Sequence, residues 1–461
     1  MNSKIGFLSI GHEDYISELS FKFVEEAVKN IRSREIEVVF CKKSLIDMVN
    51  AQNEAKKIAK EDIDGVIIFL ETWIECSVAM AAIRMVEHLP FLVWGFSMFV
   101  NKNGIKDQTG SFVAYSVLKG SLDRVGYKYK GIIGKTDDKK VIDRVTSFCK
   151  AAFTYERLKE SRIGLFGYAS MSMYPGTFDH LLLRRYIGPE VIYFDTYQLI
   201  EEMKLIDKKN CLKDIEKLKK EAEISEFVEN SQLIKAIKMY KALMNIIKEF
   251  GLQAVTIKCQ YELSKMFGMT ACVPLSLLAD KGIVSGCEGD VITLVSMLMF
   301  SYITNQPIYY GDVLNIENKK VLFSSCGIAP FSLATKKRKK YIRNFNELLG
   351  YISVEKNSKK SSRKFGAFEG ILSSITLKPG KMTFGRLVEG VGSYKFIYGI
   401  GEGIETELRQ GIMPAMEVVI NGSVEKFINS LPSQHFSLCY GDISEEIEDL
   451  CRILNVEVIR I

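Results

Sequence analysis

The chain has 461 residues, 47% hydrophobic and 26% charged, with 62 Lys+Arg against 56 Asp+Glu and a formal net charge of +6. At roughly 100–200 residues per domain, this length predicts two to four domains, and the ordinary composition excludes a disordered, collagenous or disulfide-dense chain. No apolar run reaches the ~18–20 residues that span a bilayer; the longest, Val291–Ile303, is interrupted by Thr293, Ser296 and Ser301 and reads as a buried helix.

The N-terminal MNSKIGFLSIG lacks a cleavage site and reads as a first strand. Residues 1–155 alternate short apolar runs with amphipathic stretches. Ile5–Ile10, Ile36–Phe40, Gly65–Leu70 and Phe91–Trp94 predict buried parallel strands, and Tyr15–Ile31, Ser44–Lys60 and Ser77–Glu87 predict helices between them. This is a doubly wound α/β pattern. A charge-rich helix over Asp138–Arg162 leads to SRIGLFGYAS, an echo of the N-terminus, so a boundary is placed near Ser161. Beyond it Ile163–Phe166, Val191–Tyr193, Ala254–Lys258, Ile283–Gly286 and Pro307–Tyr310 predict strands, and Lys208–Phe250 predicts one long helical segment. From about residue 331, short β-prone runs with glycine turns indicate antiparallel β structure, closed by a helix over Ser444–Leu454 and a strand over Val456–Ile461. The expected fold is α/β: two doubly wound parallel-sheet domains, 1–160 and 161–330, followed by a smaller, mostly antiparallel β domain, 331–461.

Ten scattered cysteines form no CxxC pair, which leaves a zinc knuckle unsupported and suits a reduced, cytoplasmic setting. The charge is uneven. Between Lys336 and Lys364, 11 basic residues face only Glu347 and Glu355, a net +9, so the rest of the chain is slightly acidic. KKRKK at 336–340 could serve a polyanion, but no aromatic residues suited to stacking bases are interleaved with it, so a solvated insertion is preferred over a nucleic-acid partner.

Only four histidines are present, and no G-x-S-x-G elbow accompanies them. GIGEG at 399–403 is not followed by a clear phosphate-binding helix and reads as a β turn. The informative stretch is 282–327. It reads strand, helix, strand, a right-handed crossover that would bring Glu288 and Asp312 to one carboxyl edge of a sheet. Two carboxylates there share a proton or bind a hard cation; an N-cap acid plus a turn acid is the plain alternative. His435, between apolar positions before a strand, reads by default as a packed histidine.

Together these residues resemble the L-fucose/L-arabinose isomerase-like sugar isomerases. The similarity rests on C-E-G-D at Cys287–Asp290, Asp312, H-x-x-x-x-x-G at His435–Gly441, GYASMSMYPGTFDHLLLRRYIGPEV at 167–191, TLKPGKMTFGRL at 376–387 and GEG at 401–403. The resemblance implies an aldose–ketose isomerase of three domains acting on a sugar substrate, with Glu288, Asp312 and His435 as ligands of Mn²⁺ (Mg²⁺ as the alternative) and both carboxylates as acid/base groups. It implies that Trp73 stacks on substrate across a subunit interface, against a core tryptophan as the alternative, and it suggests a homo-oligomer, a hexamer. Two departures bear on substrate choice: Ser325 stands in Ser-Cys-Gly where relatives carry His-Cys-Gly, and Gln434 precedes His435 where relatives carry Asn or His. They keep a catalytically altered, sugar-binding relative in play.

Overall fold

The computed structural model describes residues 3–348 and 369–461. Half of the basic stretch, from Lys356 to Lys364, therefore lies outside the described residues. The chain divides into two compact units, Met1–Arg157 with Glu445–Val456, and Leu158–Ser444 with Glu457–Ile461.

The first unit runs β1 (Lys4–Ile10), α1 (Glu18–Arg32), β2 (Glu37–Phe40), α2 (Met48–Ile58), β3 (Gly65–Leu70), α3 (Cys76–Val86), β4 (Phe91–Gly95), the hairpin β5 (Phe99–Val100) and β6 (Lys106–Asp107), α4 (Ser111–Val125), β7 (Lys130–Ile133) and α5 (Lys139–Glu160). Its main sheet is wholly parallel, in the order β2-β1-β3-β4-β7. GVIIFL in β3 is buried on both faces, as a parallel sheet covered by helices requires. Its Ile68 and Leu70 join one core cluster, and Ile67 and Phe69 join the other. The helix starts are written locally: Ser17 and Ser20 form a capping box on α1, and Asp47 caps α2.

The second unit runs β8 (Arg162–Phe166), α6 (His180–Tyr186), β9 (Glu190–Phe194), α7 (Thr196–Leu205), α8 (Lys209–Glu221), β10 (Glu223–Ile224), α9 (Asn230–Phe250), β11 (Ala254–Ile257), α10 (Cys272–Ala279), β12 (Val284–Cys287), α11 (Val291–Thr304), β13 (Tyr309–Glu317), β14 (Lys320–Ser324), β15 (Tyr341–Asn344), β16 (Ile371–Ser374), β17 (Gly380–Glu389), β18 (Tyr394–Ile404), β19 (Ala415–Ile420), α12 (Val424–Ser430) and β20 (His435–Tyr440). The chain then contributes α13 (Ser444–Leu454), most of which belongs to the first unit, and returns as β21 (Glu457–Arg460). A parallel sheet is ordered β12-β11-β8-β9. The largest sheet is ordered β17-β20-β13-β14-β19-β18-β21, and β17 also pairs with β18, so six antiparallel strands close on themselves with β21 parallel on β18.

The expected mixture of parallel and antiparallel sheets is present, with three corrections. The strand–helix–strand at 283–310 is not a crossover within one sheet: β12 lies in the parallel sheet, whereas β13 lies in the antiparallel one. The segment Lys208–Phe250 is two helices, parted where β10 pairs with β15 and Glu229 and Gln232 form a new capping box; that pairing is tertiary, invisible to helical period. GIGEG is not a turn but the middle of β18, where a Cβ at Gly399 would lie 2.4 Å from the Phe384 ring and one at Gly401 would lie 2.4 Å from the Val419 carbonyl. The expected limit at residue 330 falls after β13 and β14, which pair with strands beyond it.

All ten cysteines are free, and no helix among the described residues is long and apolar enough to cross a membrane. In the first unit, α13 is tied to the sheet by a buried ion pair. Lys130 Nζ donates to Asp449 Oδ2 at 2.5 Å and to Glu445 Oε1 at 3.0 Å. The side chains of Lys130 and Asp449 are 6% and 3% exposed. Removing the cation would leave a buried carboxylate uncompensated, so Lys130→Met is expected to destabilise this unit by about 3–5 kcal/mol. Urea unfolding checks this, and Lys130→Met with Asp449→Leu is expected to recover much of the loss.

Candidate active site

Glu288 follows β12 at the carboxyl edge of the parallel sheet, its N–H donating to the Ile257 carbonyl at 3.0 Å. It adopts φ +64°, and Gly289 adopts φ +70°. Two successive left-handed residues are costly for any side chain but tolerable when the second is glycine. A Cβ at Gly289 would lie 2.2 Å from the Tyr168 carbonyl oxygen. This tight turn delivers the chain to Asp290, which caps α11 by accepting from the Thr293 N–H at 2.8 Å.

Asp312 and His435 come from the antiparallel sheet, where β13 and β20 place them directly opposite each other. His435 Nε2 lies 3.1 Å from Asp312 Oδ1 and 3.3 Å from Glu288 Oε2, with all three residues buried. On the far side of the ring, Nδ1 lies 2.8 Å from Asp290 Oδ2. Asp290 is an acceptor when ionised, so Nδ1 carries the proton and donates, which leaves Nε2 facing the two acids. The same carboxylate oxygen takes Arg386 Nη1 at 2.8 Å and the Thr293 hydroxyl at 2.9 Å. Arg386 is itself buried and also donates to the carbonyls of His435 at 3.1 Å and Pro175 at 2.5 Å.

The charges follow from this geometry. Burial opposes ionisation of Asp290, yet the Arg386 guanidinium and His435 hold its carboxyl well below the usual range. Burial pushes the Asp312 carboxyl up, and Glu288 adds to this against the pull of His435. Burial alone would lower the His435 imidazole, but Asp290, Asp312 and Glu288 raise it well above its ordinary value. Cys326 donates its thiol to Glu288 Oε1 at 3.5 Å, and burial followed by the charge of Glu288 keeps that thiol protonated. The Tyr310 ring lies 5.0 Å from that of His435, tilted 46° to it.

No three or more His, Cys, Asp and Glu side chains among the described residues already stand in a metal-holding arrangement. The candidate ligands instead contact one another, and His435 Nε2 and Asp312 Oδ1 are buried without hydrogen-bond partners. Two unsatisfied atoms beside a second carboxylate form an O,O,N donor set that fits a hard divalent cation. A carboxylate on the far nitrogen of a ligating histidine is the usual orienting arrangement.

The family model described as L-fucose isomerase, first N-terminal domain, matches residues 12–160. Three sulfoquinovose isomerases are similar along most of the chain. The protein from Alkalicoccus urumqiensis is 23% identical over 381 residues, 81% of this chain and 81% of its own. That from Priestia aryabhattai is 20% identical over 99% and 98%, and that from Clostridium sp. (strain MSTE9) is 22% identical over 98% and 98%. The chain is similar to the fucose isomerase-like sugar isomerases. The resemblance read from the motifs is borne out, and an aldose–ketose isomerase is the enzyme class these relatives support. A solved periplasmic solute-binding protein from Actinobacillus succinogenes with bound D-allose matches at 9% identity over 66% of this chain and 92% of that one, with a TM-score of 0.18.

Glu288, Asp312 and His435 are thus brought together. The Ser325 hydroxyl is turned to its own loop, donating to the Ile328 carbonyl at 2.7 Å and accepting from the Gly327 N–H at 3.3 Å; its neighbour Cys326 is the residue that touches Glu288. Gln434 is half-buried, with Nε2 2.8 Å from the Met173 sulfur and its backbone carbonyl accepting from the Val313 N–H at 2.7 Å. Trp73 lies in the first unit just after β3, half-buried against its core. Sequence reasoning missed the roles of Asp290, Arg386 and Cys326, although each sits inside a quoted motif. The described part of the basic stretch is largely ion-paired: Arg338 with Glu405 and Glu407, Lys339 with Glu223 and Lys340 with Glu221.

Arg386→Met removes the only cation within ion-pair distance of buried Asp290 other than His435 among the described residues. It is expected to cost about 3–5 kcal/mol of stability, read as a shifted urea midpoint of the full-length protein.

Proposed function

We propose that this protein is a metal-dependent isomerase that interconverts an aldose and a ketose, acting on a monosaccharide or modified sugar through an enediol. The observation that carries the reading is the buried meeting of Glu288, Asp312 and His435, with Nε2 and Oδ1 unsatisfied. In this reading these three side chains hold Mn²⁺ or Mg²⁺. When bound, such an ion draws charge from neighbouring sugar oxygens and eases the growth of negative charge on them.

The chain supplies the rest. One carboxylate takes the proton from the carbon beside the carbonyl and returns it to the former carbonyl carbon, while the other moves the hydroxyl proton from one oxygen to its neighbour. No atom is gained or lost. Asp290 and Arg386 keep the imidazole from turning, and the Cys326 thiol steadies Glu288 Oε1. The same proposal takes the sugars of the sulfoquinovose isomerases as the first candidates. It includes a cytoplasmic protein, in keeping with ten free thiols, and a homo-oligomer in which Trp73 of a second copy stacks on the sugar.

Purified protein with Mn²⁺ is expected to isomerise at least one member of a panel of neutral, acidic and sulfonated sugars, followed by chromatography of the aldose and ketose. Chelation is expected to abolish turnover and Mn²⁺ to restore it. Glu288→Gln is expected to reduce turnover by at least about 10²-fold; undiminished turnover in that variant overturns the assignment.

A further inference from the structure

Among the described residues, cations on the elements that carry or border the three-residue centre have carboxylate partners. Arg386 is committed to Asp290 at 2.8 Å. Lys258, the residue after β11 at the sheet edge that carries Glu288, is paired with Glu262 at 2.9 Å. In the loop joining β18 to β19, Glu405 and Glu407 are both taken by Arg338. That leaves Arg409 on the same loop, half-buried.

Its guanidinium meets only neutral acceptors: Ser324 Oγ at 2.8 Å, the Ser325 carbonyl at 3.4 Å and Gln410 Oε1 at 3.4 Å. Two of these three bonds are long for N–H···O, and a guanidinium has five N–H donors to offer. No carboxylate lies within ion-pair distance of it among the described residues. Ser324 stands directly opposite Asp312 across β13 and β14, and Ser325 precedes Cys326, whose thiol touches Glu288. This cation, without a carboxylate in ion-pair contact among the described residues, is therefore anchored on Ser324, which faces Asp312, and on Ser325, which neighbours Cys326.

Resting on the isomerase reading, we propose that Arg409 receives an acidic substituent of the sugar and makes this enzyme selective for an anionic monosaccharide. Glu288 and Asp312 repel a negatively charged sugar, so an enzyme for such a substrate needs a counter-charge within reach of the sugar. A planar guanidinium suits the oxygens of a sulfonate, phosphate or carboxylate through paired hydrogen bonds. Its partly satisfied state has the same explanation, since the neutral contacts hold the group in place without neutralising it. The KKRKK cluster, the more conspicuous source of positive charge in the sequence, is largely occupied by acids of its own unit.

The test uses the full-length protein with Mn²⁺ and sulfoquinovose, glucose 6-phosphate and glucuronate, against glucose and 6-deoxyglucose as neutral counterparts. Calorimetric binding and steady-state kinetics are measured for wild type, Arg409→Gln and Arg409→Lys. The expected result is a wild-type preference for one anionic sugar. In Arg409→Gln the anionic-to-neutral ratio of kcat/KM falls about 10- to 100-fold, the loss residing in KM, and Arg409→Lys retains part of the preference. Which anion is favoured identifies the substituent. A wild-type preference for neutral sugars, or a parallel loss on charged and neutral sugars in Arg409→Gln, overturns the proposal while leaving the isomerase reading intact. If no sugar is converted, that reading falls; calorimetry then decides Arg409 alone, since a preference for anions lost in Arg409→Gln supports it and no such preference refutes it.

Discussion

One carboxylate oxygen, Asp290 Oδ2, organises the centre of the second unit. Arg386, Thr293 and His435 all converge on it, while Oδ1 caps α11. A buried carboxylate is stable only when its charge and lone pairs are matched, so this atom obliges β17, which carries Arg386, and β20, which carries His435, to meet the start of α11. The imidazole orientation follows from that obligation. With Nδ1 spent on Asp290, Nε2 is the only ring atom left to face Glu288 and Asp312.

The two acids reach the same place by different routes. Asp312 is fixed by strand register: a slip of one residue between β13 and β20 would turn its side chain to the opposite face of the sheet. Glu288 is fixed by the left-handed pair Glu288–Gly289, packed under the Tyr168 carbonyl. The centre thus draws on a parallel sheet edge and a closed antiparallel sheet at once, and neither sheet alone contains it.

This division explains what the sequence could and could not disclose. The strands of the first unit were legible because a buried parallel strand such as GVIIFL has no other comfortable environment. The pairing partner of β13 was not, because a strand–helix–strand pattern reads the same whether its second strand joins the first sheet or another. Glu288, Asp312 and His435 were reachable through motif resemblance. Asp290 was not reachable in its role, since an N-cap aspartate has the same local signature whether its free oxygen meets water or a histidine. Arg386 reads in sequence as an ordinary polar residue between Gly385 and Leu387. The partners of KKRKK were out of sight for the same reason: Glu221, Glu223, Glu405 and Glu407, which answer it, lie roughly 65 to 120 residues away in the chain.

The crossing of α13 back to the first unit has a consequence for the order of assembly. A chain emerging from the ribosome completes residues 1–157 long before residues 445–456 exist. Until then Lys130 has neither Asp449 nor Glu445, and Ile453 is missing from the cluster beside Phe148 and Cys149. The first unit made is therefore among the last to be finished. Its closing helix can be delivered only after nearly 290 intervening residues have been synthesised, which makes the earlier-born of the two units the one that must wait.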